Sequence, residues 1–369
     1  MTDDNRAQAA IQRLLDELVT GGAEIGLQVA VIHSGRMVVD AASGLADPAT
    51  GEAVGGDTLF YAASTAKGVA STVAHVLAQR GELDYDLRAA EVWPEFGSHG
   101  KEGVTLRHVL LHTAGLPGLP ADISVADLCN WDRMCAVLAD SELWWEPGTR
   151  FGYHAQTFGF LVGEILRRST GRTISELLRE VVTGPLGVAD EVHFALPQRL
   201  LSRVAWQVEP EAHSPNPPPP GSPLARAIPP GIQPDAAHAN RADVLTSEIP
   251  SAGTMTARGA ARIYSALLGH VDGVSLVSPS RLKDMAAITH RGMDEVMGFP
   301  TEWAFGYSPY RPGAGRALPG STFGMVGANG SAAYADIDSG VAVAVMRNRF
   351  GTGELTVLEQ VDRIVCRLL

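Results

Sequence analysis

The two ends of the chain carry the same grammar, and this constrains the fold more than any other feature of the sequence. Near the N-terminus, β-rich runs at Leu27–Ile32 and Met37–Ala42 flank the turn His33-Ser34-Gly35-Arg36. Ahead of them, Ile11, Leu14, Leu15, Leu18 and Val19 recur at helical spacing until Gly21-Gly22 stops the run. Near the C-terminus, Ser331–Asp336 and Val341–Met346 flank Asp338-Ser339-Gly340. A last helix is then marked by Val357, Leu358, Val361, Ile364, Val365 and Leu368. Each unit has an apolar face to bury, so the economical solution is one antiparallel sheet assembled from both ends and covered by the terminal helices. The expected fold is α+β, an α/β sandwich, with a sheet domain from residues 1–60 and 290–369 and a mainly helical domain inserted over residues 61–289.

A chain of 369 residues exceeds the usual size of one hydrophobic core, in keeping with two subdomains. Within the insertion, Thr173 and Glu176 form a capping-box pattern before Leu177-Leu178, and Gly184-Pro185-Leu186-Gly187 ends that helix. The stretch from about 209 to 234, with Pro217 to Pro220, is expected to be an irregular loop, because proline lacks the donor that helices and sheets need. A net charge of −12 argues against nucleic acid as a partner. The three cysteines, Cys129, Cys135 and Cys366, form no Cys-x-x-Cys pair, which argues against a disulfide framework or zinc site and for a reducing compartment. No run of ~18 apolar residues occurs, so no membrane span is expected. The opening MTDDNRAQAAIQRLL lacks a basic segment followed by an apolar one, and a cytoplasmic location is expected.

Ser64-Thr65-Ala66-Lys67 is a Ser-x-x-Lys motif. On a helix, positions i and i+3 share a face, so hydroxyl and ammonium can meet. A serine hydroxyl needs a base, and a buried lysine can serve when its pKa falls toward neutrality. Each of the chain's three lysines stands in such a motif; the other two are Ser98-His99-Gly100-Lys101 and Ser280-Arg281-Leu282-Lys283. Ser98 lies among glycines in an apparent loop, and Ser280 opens a polar helix as a capping serine would. Only Ser64 leads into a nearly continuous apolar run, through Val69, Ala70, Val73, Ala74, Val76 and Leu77. On these residues alone, a catalytic pair and a satisfied structural pair fit equally well. Tyr153 follows the Pro147-Gly148 turn and precedes an apolar helix through Phe158, Leu161, Val162, Ile165 and Leu166, a place suited to presenting a side chain to a cleft. By itself it reads more simply as a packed aromatic. His108 and His112 are spaced as helical metal ligands, but no glutamate follows His108 and no metal is expected. Neither Gly-x-Ser-x-Gly nor a phosphate-binding P-loop occurs. Trp144, Trp145 and Trp303 read as core or rim.

Four elements in order, Ser64–Lys67, Leu110-Leu111-His112-Thr113-Ala114-Gly115-Leu116, the Pro-Gly-Thr before Tyr153, and Phe323-Gly324-Met325-Val326-Gly327-Ala328-Asn329-Gly330-Ser331, resemble the serine β-lactamase and penicillin-binding-protein superfamily. The likeness lies on its class C side and in particular with the family VIII carboxylesterase and transacylase branch. The resemblance implies Ser64 as the acylated nucleophile, with Lys67 and Tyr153 sharing the proton work. It implies an oxyanion hole from the N–H groups of Ser64 and Ala328, and substrate contacts at His154, Met325, Val326 and Gly327. Two departures matter. Tyr153-His154-Ala155 replaces the frequent Tyr-x-Asn, and Met325-Val326-Gly327 replaces Lys-Thr-Gly or His-x-Gly. Methionine carries no charge and donates no hydrogen bond, which disfavours substrates held by a carboxylate. The implied function is a serine acyl-enzyme hydrolase or acyltransferase, a carboxylesterase or transacylase of secondary metabolism. It would act without cofactor on an ester or activated amide of a small molecule, with water, an amine or an alcohol as acceptor. A β-lactamase or D-aminopeptidase-like hydrolase is the alternative, and a non-catalytic binding relative is the second. Oligomeric state stays open.

Overall fold

The computed structural model describes residues 3–210, 218–269, 271–309, 321–351 and 355–368. Helix α1 (Asp3–Thr20) leads into β1 (Gly26–His33) and β2 (Arg36–Asp47). Ser34 and Gly35 join the two strands with φ of 50° and 80°, the left-handed pair whose twist matches a two-residue hairpin. Strand β3 (Glu52–Ala53) adds an edge, and β4 (Phe60–Tyr61) leads into helix α2 (Thr65–Gln79). The remaining strands are β5 (Val192–His193), β6 (Thr254–Met255), β7 (His290–Met293), β8 (Pro300–Trp303), β9 (Thr322–Val326), β10 (Ala332–Asp336) and β11 (Val341–Arg347). The main sheet has the order β3-β2-β1-β11-β10-β9, all antiparallel. Its central seam pairs the two ends of the chain, with Val29 opposite Val345.

Strand alternation sorts the sheet's two faces. Val29, Val31, Val343 and Val345 point to one face, where Ile11 and Leu15 of α1 meet Val357, Leu358, Val361 and Val365 of the last helix, Thr356–Leu368. Both terminal helices therefore lie on the same face. The opposite face presents Ala30, Ala333, Ala335, Ala342 and Ala344. These short side chains admit the helix Ala257–Leu268, which packs there through Ala260, Ala261 and Ile263. Its sequence position had placed it in the helical insertion, but a sheet with both terminal helices on one side needs a third to cover the other. Helix α2 is buried from Thr65 to Ala78. Its neighbours include β9 and the helix Thr157–Thr170.

The Thr173–Glu176 capping box forms as expected. The proline-rich stretch is more ordered than expected where it is described; residues 211–217 lie outside the described residues. Ser222 caps the short helix Pro223–Ala227, with Pro223 at the first helical position, where its missing N–H costs nothing. Ala227 is buried in a cluster with Trp145 and Val296. Among the described residues no helix is long and apolar enough to cross a membrane.

The seam also carries a buried ion pair. Arg347, 1% exposed, places Nη2 2.6 Å and Nε 3.1 Å from the carboxylate oxygens of Glu24, 2% exposed. Removing one partner of such a pair leaves a buried charge uncompensated. Glu24→Gln is expected to lower unfolding free energy by about 3–5 kcal/mol in a urea titration. Glu91→Gln, in the exposed Arg88–Glu91 pair, should change it by less than about 1 kcal/mol.

Candidate active site

Ser64 sits where strand, turn and helix meet. Strand β4 pairs with β6, and the Ala62 N–H donates to Gly253 O at 2.8 Å, so the approach to α2 is fixed. Ala63 then takes a left-handed φ of 44°, strained for a residue with a β-carbon. This turns Ser64 into the N-cap position of α2, half-buried, with its hydroxyl free of any capping bond. Lys67, one turn on, is fully buried. Its Nζ donates to Ser64 Oγ at 2.9 Å and to Ser251 O at 3.3 Å, and lies 5.0 Å from the centre of the Tyr153 ring. Burial lowers its pKa to about 7. The Tyr153 hydroxyl donates to Ser64 Oγ at 2.7 Å, and burial pushes its phenol above the usual range.

The other two Ser-x-x-Lys motifs are structural. Ser98 Oγ and Lys101 Nζ both bind Ala139 O, at 2.7 and 3.0 Å, and Lys101 also reaches Ser141 O at 2.5 Å. They tie off the helix Trp131–Asp140. In the third motif the cap is Ser278 rather than Ser280; Ser280 and Lys283 are exposed.

Gly327 follows β9 and packs against the start of α2. A β-carbon there would stand 2.4 Å from Ala62 O and 3.1 Å from Thr65 Oγ1. Thr65 Oγ1 donates to Ser331 O at 3.0 Å, and buried Asn329 donates to Tyr61 O at 2.7 Å. The turn carrying Ala328 is thereby held against the segment carrying Ser64. Among the described residues, the N–H groups of Ser64 and Ala328 have no protein acceptor. Met325 is 4% exposed and faces α2, with its Cβ 3.3 Å from where a β-carbon on Gly68 would stand.

Two expected substrate contacts are corrected. His154 is fully buried; its Nε2 accepts from the Leu116 N–H at 3.0 Å and its Nδ1–H donates to Gly152 O at 2.7 Å. Both ring nitrogens are used, and burial lowers its pKa to about 4, so it is a neutral brace for the Tyr153 loop. Val326 packs with the terminal-helix cluster on the far face, because it neighbours Met325 on a pleated strand. His112, noted for its spacing from His108 and within the Leu110–Leu116 stretch, also belongs to the loop's support. Its O accepts from the Gly152 N–H at 3.0 Å and its Nδ1 from the His154 N–H at 3.1 Å. His108 instead completes a capping box with Thr105, and among the described residues no cluster could hold a metal. Asp294 and Trp303 were missed as site residues. Asp294 accepts from the Tyr153 N–H at 3.0 Å, and Trp303 stacks on the Tyr153 ring at 5.5 Å.

A serine hydroxyl held between a buried lysine and a phenol, at the edge of an antiparallel sheet, defines the class of serine acyl-enzymes. The chain belongs to the beta-lactamase family, whose family model matches residues 11–366. It is 33% identical over 364 residues to the esterase/beta-lactamase LipL of Mycobacterium tuberculosis, covering 92% of this chain and 81% of LipL. A crystal structure of a family VIII carboxylesterase superposes with a TM-score of 0.85 at 31% identity, over 100% of this chain and 97% of that one. A penicillin-binding-protein homologue from Caulobacter crescentus superposes with a TM-score of 0.88 at 34% identity, over 98% of each chain.

Because a β-carbon at Gly327 would meet the Ala62 backbone oxygen first, Gly327→Ala should destabilise the fold by about 1–3 kcal/mol in thermal or denaturant unfolding. Gly103→Ala, with open space around it, should stay within about 0.5 kcal/mol of wild type.

Proposed function

We propose that the protein is a serine ester hydrolase or acyltransferase acting through an acyl-enzyme on Ser64. The observation that carries this is the convergence of Lys67 Nζ at 2.9 Å and the Tyr153 hydroxyl at 2.7 Å on one Ser64 Oγ. With its pKa lowered to about 7, Lys67 is substantially neutral at neutral pH and takes the Ser64 proton as the hydroxyl attacks the carbonyl. Tyr153, held protonated by burial, donates to the departing alkoxide and is reprotonated from Lys67. The unpaired N–H groups of Ser64 and Ala328 receive the oxyanion; one such donor is typically worth ~3 kcal/mol. Water, an alcohol or an amine then takes the acyl group from Ser64.

A small neutral ester is the substrate class this reading favours. The relatives' names, esterase and carboxylesterase, support it. So does Met325, which puts an apolar thioether where the superfamily's lysine or histidine would stand. A β-lactamase activity is the second reading, supported by the name of LipL. It requires a chromogenic cephalosporin to be turned over at rates comparable with simple esters. The cytoplasm is the proposed compartment, supported by Cys129, Cys135 and Cys366 all being free thiols.

Intact mass spectrometry after brief exposure to p-nitrophenyl butyrate should show one butyryl group on wild type and none on Ser64→Ala. A wild type that gains no acyl group and releases no nitrophenol, from this ester or from a fluorophosphonate probe, would bring forward the non-catalytic alternative. The acylation rate should climb about tenfold per pH unit below pH ~7 and level off above it, as Lys67 loses the proton that blocks it. Stopped-flow rates between pH 5 and 9 check this, and a flat profile would remove Lys67 as the base.

A further inference from the structure

We propose that Asp294 is a positioning residue for acyl transfer, fixing Tyr153 against Ser64 through the loop backbone and through the Trp303 indole. The proposal deepens the acyl-enzyme reading above and rests on it.

Among the described residues, strands β7 and β8 pair only with each other, apart from the main sheet. A lone two-stranded hairpin is marginal in water, so its position depends on what ties it down. Asp294, in the loop joining these strands, is fully buried. Its Oδ1 accepts from the N–H groups of Tyr153, Val296 and Met297 at 3.0, 2.9 and 2.9 Å. Its Oδ2 accepts from the Thr301 hydroxyl at 3.2 Å and from Trp303 Nε1 at 3.3 Å. One carboxylate thus joins the Tyr153 backbone to the ring that lies on the Tyr153 phenol, with an interplanar angle of 7°. The Glu295 N–H adds a second tie, to Phe151 O at 3.2 Å.

All five donors are neutral, and among the described residues the carboxylate has no ion-pair partner. Burying a carboxyl group is costly unless its oxygens are hydrogen-bonded, and here both accept. Asparagine has a single acceptor oxygen, and its amide N–H groups would face the Trp303 N–H, which is also a donor. The other side of the Tyr153 loop is already fixed by His112, whose ring also meets Trp303 at 4.4 Å. Asp294 closes the remaining direction, and Tyr153 can then meet Ser64 Oγ at 2.7 Å without searching for it.

The test measures acylation by p-nitrophenyl butyrate, per folded molecule, for wild type, Asp294→Asn, Trp303→Phe and the double variant, with thermal melting alongside. Asp294→Asn is expected to slow acylation about 10- to 100-fold with KM within about twofold of wild type. Trp303→Phe keeps a ring to stack and removes the opposing donor, so the double variant should recover at least about fivefold over Asp294→Asn. Trp303→Phe alone should be slower than wild type by about threefold or more, and it decides the matter if Asp294→Asn does not fold. A wild-type rate in Asp294→Asn, a folded double variant without recovery, or a wild-type rate in Trp303→Phe would each overturn the proposal. A wild type that acylates normally beside such variants leaves the acyl-enzyme reading standing; a wild type that never acylates overturns both.

Discussion

Burying the Lys67 ammonium with no carboxylate beside it is the constraint on which the site depends. Among the described residues, Lys67 makes no ion pair; its polar contacts are Ser64 Oγ and Ser251 O. In water a lysine side chain holds its proton up to about pH 10.4 and would be useless as a base at neutrality. Here desolvation alone brings it to about 7. A lysine can be dry only if its helix is enclosed on every side, and this dictates α2's composition. Most of its buried residues are small or branched, and the buried polar ones, Thr65, Ser71, Thr72 and His75, are all hydrogen-bonded. At Gly68 even a methyl group is excluded, since a β-carbon there would stand 2.1 Å from the Tyr264 hydroxyl.

The enclosure brings distant parts of the chain together. Residues 327–331 lock onto Tyr61–Thr65 through Asn329, Thr65 and the missing side chain of Gly327. Tyr153 arrives from a third segment, supported by His112, His154 and Asp294. Two of the turns that aim these groups are strained: Ala63 before the serine and His112 beneath the tyrosine both take left-handed φ, 44° and 57°. Each costs energy that the surrounding bonds must offset.

Much of the sheet was legible because alternation and turn residues are local signals. Leu27–Ile32, Met37–Ala42 and Val341–Met346 all fall within strands, and the Gly21-Gly22 stop falls just after α1. Ser64 stood out from Ser98 and Ser280 because an apolar helix follows it, a local signal of burial. What escaped was relational. Nothing near His154 in sequence reveals that Leu116, from another segment, takes up its Nε2. Nothing near Asp294 reveals Tyr153, far away along the chain. The alanines of the sheet's second face also read as ordinary strand residues. Only their register across β1, β10 and β11 shows a smooth surface for the helix Ala257–Leu268.

The pairing of β1 with β11 orders events in time. A ribosome releases β1, β2 and Ser64 early, but the strand that joins them to the rest of the sheet emerges almost last, and with it the turn that holds Ala328. Closing so long a loop is slow compared with forming local helices. Until that happens the alanine face has no β10 or β11, and the turn carrying Ala328 is not yet beside Ser64. The site proposed around Ser64 is therefore complete only once the two ends of the chain have paired.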